Sequence, residues 1–370
     1  MIFGFLLAIC FNPYIWTAAT QPRWSFLAIA LPVMIWRNQS SAPNHFTLTH
    51  ALGLTFLAWA TLTLLWTPNL PDAYNELIQL LIVAEAFVLG ARLNTLRPIF
   101  MGLAAGLAIS SLIVISPLQE WIPHPLISIH WEGLLGNRNA LAEAAALTLI
   151  GCIGYRLWWF IPGLIPAIVI YPYPRAAWLS LVTALIIWAW SRSRKLAALL
   201  MLSSIFALVI LINLKGYSTL ERWTIWTETY NGLNYLGHGI GSFYFLYPYL
   251  TSTFDTTLMR PEHAHNELLE IWFELGFVGT FIYVCLVASA YRSAGLISHC
   301  ILGAFCTIAM FSFPSHAPFT ALVGAIVLGH AVRGGSSIWE YDGLRGLELC
   351  KGNGGKHSTS AANRVFEASC

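Results

Sequence analysis

Apolar residues in this chain come in long blocks, at roughly 1–20, 24–36, 48–66, 76–91, 98–116, 139–155, 157–171, 176–190, 196–214, 267–290, 296–313 and 318–332. Between them the sequence supplies only 19 basic and 17 acidic side chains in 370 residues, or 10% charged. A water-soluble domain carries roughly 25%. Too few charges remain to cover a soluble surface of this size. The composition therefore excludes a soluble globular enzyme, a disordered chain and a basic-patch nucleic-acid binder, so no nucleic-acid partner is expected. Lipid offers no hydrogen bonds to a backbone, and helices satisfy their own. The apolar residues run in blocks and do not alternate, which speaks against a β-barrel. The expected fold class is an all-α polytopic membrane protein with about 12 transmembrane helices and membrane lipids as its surroundings.

Charge placement gives the expected orientation. With the N-terminus in the cytoplasm, Arg37, Arg92, Arg97, Arg156, Arg192, Arg194, Lys195, Arg292 and Arg333 fall on the inside, and four more basic residues lie in the tail. Arg23, Arg138, Arg175, Lys215, Arg222 and Arg260 fall outside. The first block has no basic leader and no small-residue cleavage site, so it reads as a span and not a cleaved signal. The expected organisation is about nine membrane helices over 1–214, a long periplasmic loop at 215–266, about three helices over 267–333 and a flexible cytoplasmic tail at 334–370. Loops this long in a compact fold are usually functional. The Gly/Ser-rich tail receives no function. The seven cysteines show no CxxC or metal spacing and read as packing residues without a disulfide framework.

Cations on the outer face are unusual and costly at the membrane boundary unless partnered. Arg138 and Arg175 each stand at the start of a block, Arg222 lies in the long loop, and Arg260 precedes His263-Ala264-His265. One reading is a cluster that grips a phosphate-bearing headgroup, because the planar guanidinium fork donates two parallel hydrogen bonds to phosphate oxygens. The other is interfacial anchoring, or pairing with Glu221, Glu228 or Glu262. The sharpest local feature runs from His263 to Gly279. Here His265, Leu269, Trp272, Gly276 and Gly279 follow helical spacing, and the two glycines would let a neighbouring helix come close. At the N-terminal end of that helix the dipole disfavours imidazolium, so His265 is expected neutral and able to accept a proton. One alternative has Glu267, Glu270 and Glu274 only pairing with nearby arginines. His263-x-His265 with Glu267 lacks a further spaced metal ligand, so no metal and no cofactor is expected. Gly237-His238-Gly239-Ile240-Gly241 reads as a tight turn more readily than as a phosphate loop, and His316 as a turn residue. Glu85 and Glu143, inside apolar blocks, must face the interior or water, with Arg138 or Arg175 as possible partners.

These pieces form an ordered set: Trp66-Thr67-Pro68, Gly136-Asn137-Arg138-Asn139-Ala140-Leu141-Ala142, Pro174-Arg175-Ala176-Ala177-Trp178, and Arg222-Trp223-x-Ile225-Trp226. Gly237-x-Gly239-x-Gly241-x-Phe243, Tyr247-Pro248, and Ala264-His265-Asn266 with Gly276 and Gly279 complete it. Over residues 60–330 the set resembles the O-antigen ligase and polymerase superfamily of membrane glycosyltransferases. The resemblance implies a GT-C-like enzyme of the bacterial inner membrane with its active site facing the periplasm. Its donor would be a glycan on undecaprenyl diphosphate, and its acceptor a hydroxyl, foremost that of lipid A-core. It implies His265 as the catalytic residue and Arg175 and Arg222 as diphosphate binders, with Arg138, Lys215, Arg260 and His263 as further additions. Asn266, Glu274, Gly276 and Gly279 would support the site, and the family is described as working without a metal. His238, between the loop glycines, departs from the usual pattern.

The same donor could serve a polymerase extending a lipid-linked chain, or an enzyme modifying Ser/Thr of a protein. A non-enzyme alternative is a lipid or solute transporter. That would call for repeat-related halves and buried mid-membrane charges, whereas here the polar residues gather at one face.

Overall fold

A computed structural model of the chain describes residues 1–12, 19–39, 46–116, 134–169, 174–214, 216–250 and 261–333. Lys215, Arg260, Cys350, Cys370 and the tail at 334–370 lie outside the described residues. Among the described residues the architecture is all-helical, with no strand. Each apolar block folds as helix. In chain order these are α1 (Ile2–Ile9), α2 (Thr20–Arg37), α3 (Leu48–Leu62), α4 (Leu70–Arg92), α5 (Arg97–Val114), α6 (Arg138–Gly154) and α7 (Ile161–Val169). There follow α8 (Arg175–Trp190), α9 (Arg194–Leu214), α10 (Gly216–Asn231), α11 (Phe243–Leu250), α12 (Glu267–Ser293), α13 (Leu296–Ala309) and α14 (Pro318–Val332).

Among the described residues, four segments are long and apolar enough to cross a membrane: Leu48–Leu65, which adds a 3-10 turn to α3, together with α4, α5 and α12. The segment Trp158–Val169 and helices α8, α13 and α14 are apolar but shorter. The expectation of 12 full spans is therefore met only in part. A helix rises 1.5 Å per residue, so the 15 residues of α14 reach about 22 Å against a hydrocarbon core of about 30 Å. The stretch expected as a plain loop, 215–266, carries α10 and α11. Helix α10 escapes an apolar-block reading because it is amphipathic: Ile225 and Thr229 are buried while Trp223 and Tyr230 face outward.

The main core gathers Leu27, Leu31, Phe100, Leu103, Ile301 and Phe305 with residues of α6 and α14. Helix α14 lies along α4, α1 along α5, α8 along α13, and α12 along α3. In lipid, close backbone approach replaces the hydrophobic drive between helices. Helices α4 and α14 show it reciprocally. A Cβ on Gly90 would stand 2.1 Å from the Ile326 carbonyl oxygen, and one on Gly329 would stand 1.9 Å from that of Phe87. Cys10, Cys152, Cys285, Cys300 and Cys306 are free thiols, as expected for packing residues.

Arg23 is the largest fully buried side chain among the described residues. Its guanidinium donates to the carbonyls of Leu7, Ala8, Ala19 and Leu134. It thus satisfies carbonyls that the end of α1 leaves without intrahelical partners and ties α1, α2 and the approach to α6 into one unit.

The α4–α14 contact predicts that Gly90→Ala and Gly329→Ala each cost about 1–3 kcal/mol by overpacking. Gly53→Ala, whose new Cβ meets nothing closer than a Leu286 methyl at 3.9 Å, should be neutral or gain up to about 1 kcal/mol of helix propensity. Thermal unfolding of the three variants in the same detergent checks this. Equal midpoints for Gly90→Ala and Gly53→Ala would contradict the packing argument.

Candidate functional site

Two backbone features build the site. The first is a break in α12. Gly276 has φ 70° and ψ −173° inside the helix. Phe277 N–H turns to the Tyr235 carbonyl at 3.0 Å, and the freed carbonyls of Phe273 and Glu274 accept from His238 and Gly239 at 2.9 and 2.8 Å. Glycine is required on both sides of this contact. A Cβ on Gly276 would stand 2.4 Å from the Tyr235 oxygen, and one on Gly237, itself at φ 73°, 2.2 Å from the Glu274 oxygen. The Gly237–Gly241 segment is thus a turn packed on α12, as expected. The helical spacing read for Gly276 is corrected: it is a non-helical break, and it admits this turn and not a neighbouring helix. Gly279 does admit one. Trp59 of α3 would lie 3.2 Å from its Cβ and donates to the Leu275 carbonyl at 2.8 Å. Glu274 fixes the same turn by accepting from the Phe243 N–H at 2.9 Å.

The second feature is His265, held at φ 54°. Left-handed backbone is uncommon for a side chain bearing a Cβ, and such strain collects at functional sites. Helix α12 begins only at Glu267, capped by Asn266, whose side chain accepts from the Leu269 N–H at 3.1 Å. His265 therefore does not continue the helical face of Leu269 and Trp272. Its Nδ1 is buried and finds no hydrogen-bond partner among the described residues. Burial, then the charges of Arg222 and His263, push this ring down to about 4. It is neutral at pH 7, with burial as the first cause.

His265 lines a cavity of about 250 Å³ together with His263, His316, Arg222, Glu143 and Phe313. Three helix starts and the loop before a fourth line it. Ala19 and Thr20 at the start of α2, Asn137 and Asn139 at that of α6, Glu262, His263 and His265 before α12, and Pro318 to Thr320 of α14 all contribute. Arg222 of α10 donates to the Phe311 carbonyl at 2.9 Å, and Trp226 to that of Ala264 at 3.0 Å, so α10 clamps the two loops that carry the histidines. Phe313 packs on His263 and His265, with ring centroids 4.3 and 5.2 Å apart. Burial lowers the proton affinity of Arg222, and Arg175 lowers it further, so these two guanidiniums sense each other.

Of the residues singled out in the sequence, His265, His263 and Arg222 meet at this cavity, and Arg175 stands within electrostatic reach of Arg222. Arg138 opens α6 between two cavity-lining asparagines but is not itself among the lining residues. Lys215 and Arg260 lie outside the described residues. Among the described residues the carboxylates of α12 do not take arginine partners. Glu267 accepts from the Ser315 N–H at 3.3 Å. Glu270 stands 2.7 Å from His263 Nδ1 and 3.4 Å from His316 Nε2. Glu274 holds the glycine turn. Glu143 is buried, with the Ser312 hydroxyl at 3.2 Å and Arg222 in its field. The roles of Glu270, His316, Arg23 and Phe313 were not read from the sequence. The signal for Glu270 was its spacing with Glu267 and Glu274, which puts three carboxylates on one helical face.

His263, Glu270 and His316 bring three donor atoms within 4.8 Å of one another. The 2.7 Å contact between His263 and Glu270 has hydrogen-bond length, whereas two ligands on one tetrahedral zinc stand about 3.3 Å apart. As placed, these side chains share a proton and do not fit a zinc ion. A second cavity of about 380 Å³, mostly apolar, lies between α3, α4, α12 and α14 and has Glu270 and His316 among its walls. His316 thus borders both cavities.

No curated protein matches the chain. Residues 139–284 match the family model described as O-Antigen ligase, and this match, which runs from the start of α6 into α12, supports the O-antigen ligase superfamily for this chain.

Proposed function

We propose that the chain is an O-antigen ligase-type glycosyltransferase that moves a glycan from undecaprenyl diphosphate to an acceptor hydroxyl, foremost of lipid A-core. The reaction runs on the periplasmic face of the bacterial inner membrane, without a metal. The observation that carries the reading is a neutral His265, its Nδ1 without a hydrogen-bond partner among the described residues, which lines with Arg222 a cavity bordered by three helix starts and the loop before a fourth. Helix N-termini and guanidinium forks both favour a phosphate group. The apolar cavity next to it suits the hydrocarbon part of a lipid-linked substrate.

His265 takes the proton of the acceptor hydroxyl as its oxygen bonds to the anomeric carbon. The bond from that carbon to the diphosphate breaks on the opposite side, so the configuration inverts. The leaving diphosphate keeps the electron pair, and Arg222 and Arg175 meet its growing charge. Arg138, Lys215 and Arg260 are assigned as outer contacts to the same group. In the unliganded protein the charge of Arg222 depresses His265. A bound diphosphate offsets that charge and moves the ring toward the working pH, where general bases are most effective. The activated sugar arrives on its lipid, so no nucleotide site is needed.

Purified His265→Ala, given lipid-linked donor and acceptor, should lose about 10²–10⁴-fold in turnover while keeping its thermal midpoint. Unchanged transfer would remove the base assignment. Arg222→Lys and Arg175→Lys keep the charge and lose the fork, and each should cost about 10²-fold in turnover. Full activity would contradict bidentate diphosphate binding. Product analysis in the same assay fixes the acceptor: glycan on lipid A-core is expected, whereas an extended lipid-linked glycan or a glycosylated protein would reassign it.

A further inference from the structure

Glu270 is 3% exposed, and both its oxygens are engaged. Oε1 lies 2.7 Å from His263 Nδ1 and 3.4 Å from His316 Nε2. Oε2 accepts from the Ala264 N–H at 2.8 Å. The two rings face each other with centroids 4.3 Å apart, and Phe313 backs His263 at the same distance. One carboxylate thus confronts two stacked imidazoles, and two cationic rings this close would repel each other. The shorter contact puts the proton on His263. With Nδ1 committed to Glu270, Nε2–H is the donor left on that ring for a ligand in the cavity it shares with His265 and Arg222.

We propose that Glu270 is a positioning residue for sugar transfer: clamped between His263 and His316, it keeps His263 cationic beside the diphosphate and so reserves the neutral, proton-accepting role for His265. The inference rests on the reading in the preceding subsection and adds a division of labour between the two histidines. The groups facing His263 agree with it. Glu270 and Glu267 approach from α12, Glu262 and His265 from its own loop, and His316 from the turn before α14, while Arg222 of α10 and Glu143 of α6 border the same cavity. Burial alone would push His263 down, but Glu270, then Glu262 and Glu267, outweigh it and leave the ring raised. Burial and the neighbouring His263 push His316 down to about 4, so it stays neutral. The sign follows: His263 acts while protonated, so its contribution is complete below its raised value and fades as pH climbs through it.

The test uses full-length protein in nanodiscs. Binding of undecaprenyl diphosphate and transfer from a lipid-linked donor are measured between about pH 5 and 8, where imidazole titrates. Glu270→Gln keeps the shape and loses the charge. It should bind and transfer about tenfold less at the upper end of that range and recover toward wild type at the lower end, where the released imidazole regains its proton. His263→Gln should be weak and flat across the range, and the double variant should match it. A Glu270→Gln profile of wild-type shape, merely scaled down, would overturn the proposal. So would a His263→Gln protein that keeps the wild-type alkaline limb, a readout that stands if Glu270→Gln does not fold. Stoichiometric zinc in the wild-type protein, lost in His316→Ala, would also overturn it, because a metal would then sit where the proton is assigned. Wild-type protein that binds the lipid diphosphate with this pH dependence but transfers no sugar would support the clamp and contradict the transfer reading alone.

Discussion

A polar cavity inside an apolar helical bundle survives only if its dipoles and charges answer one another, because unsatisfied polar groups in such surroundings are expensive. Here the starts of α2, α6 and α14 and the loop before α12 line one space. Such ends carry partial positive charge, and Arg222 adds a full one. Glu143 supplies negative charge from the wall and Glu270 from behind His263 and His316, while Arg23 spends its donors on backbone carbonyls. The balance is nearly closed within the chain. What it leaves open is the His265 ring and a positive field that an anionic group completes.

Helix α12 organises much of this. Its three buried glutamates each serve a different partner segment: Glu267 the turn before α14, Glu270 the histidines, and Glu274 the start of α11. Its break at Gly276 lends two carbonyls to the glycine turn. One helix therefore sets the positions of the His263–His265 loop, the turn carrying His316 and the segment between α10 and α11.

The helical class was legible in the apolar blocks, because a block of that length without charges has few other solutions. The meeting of His265 and Arg222 was legible too, since both are polar residues at block boundaries, where a basic or titratable group is costly without a purpose. The number of full crossings was not. Helices such as α13 and α14 are apolar throughout yet too short, and composition does not record length against the bilayer. Helix α10 was missed because its apolar residues are interleaved with polar ones, and α11 because eight residues are far too few for a span. The break at Gly276 was hidden by its spacing, which fits a helix; only the backbone of the glycine turn, far away in sequence, shows why the helix opens. The partnership of Glu270 with His263 and His316 was hidden for the same reason, since its two histidines lie on separate loops.

The central claim is that the cavity beside His265 receives a lipid-borne diphosphate. Electron cryo-microscopy of the protein in nanodiscs loaded with undecaprenyl diphosphate tests it most directly. The account expects diphosphate density within hydrogen-bond distance of Arg222, next to the His265 ring, with the prenyl chain leading away into apolar surroundings. Diphosphate density elsewhere, with Arg222 still on the Phe311 carbonyl and the cavity without ligand, would contradict it.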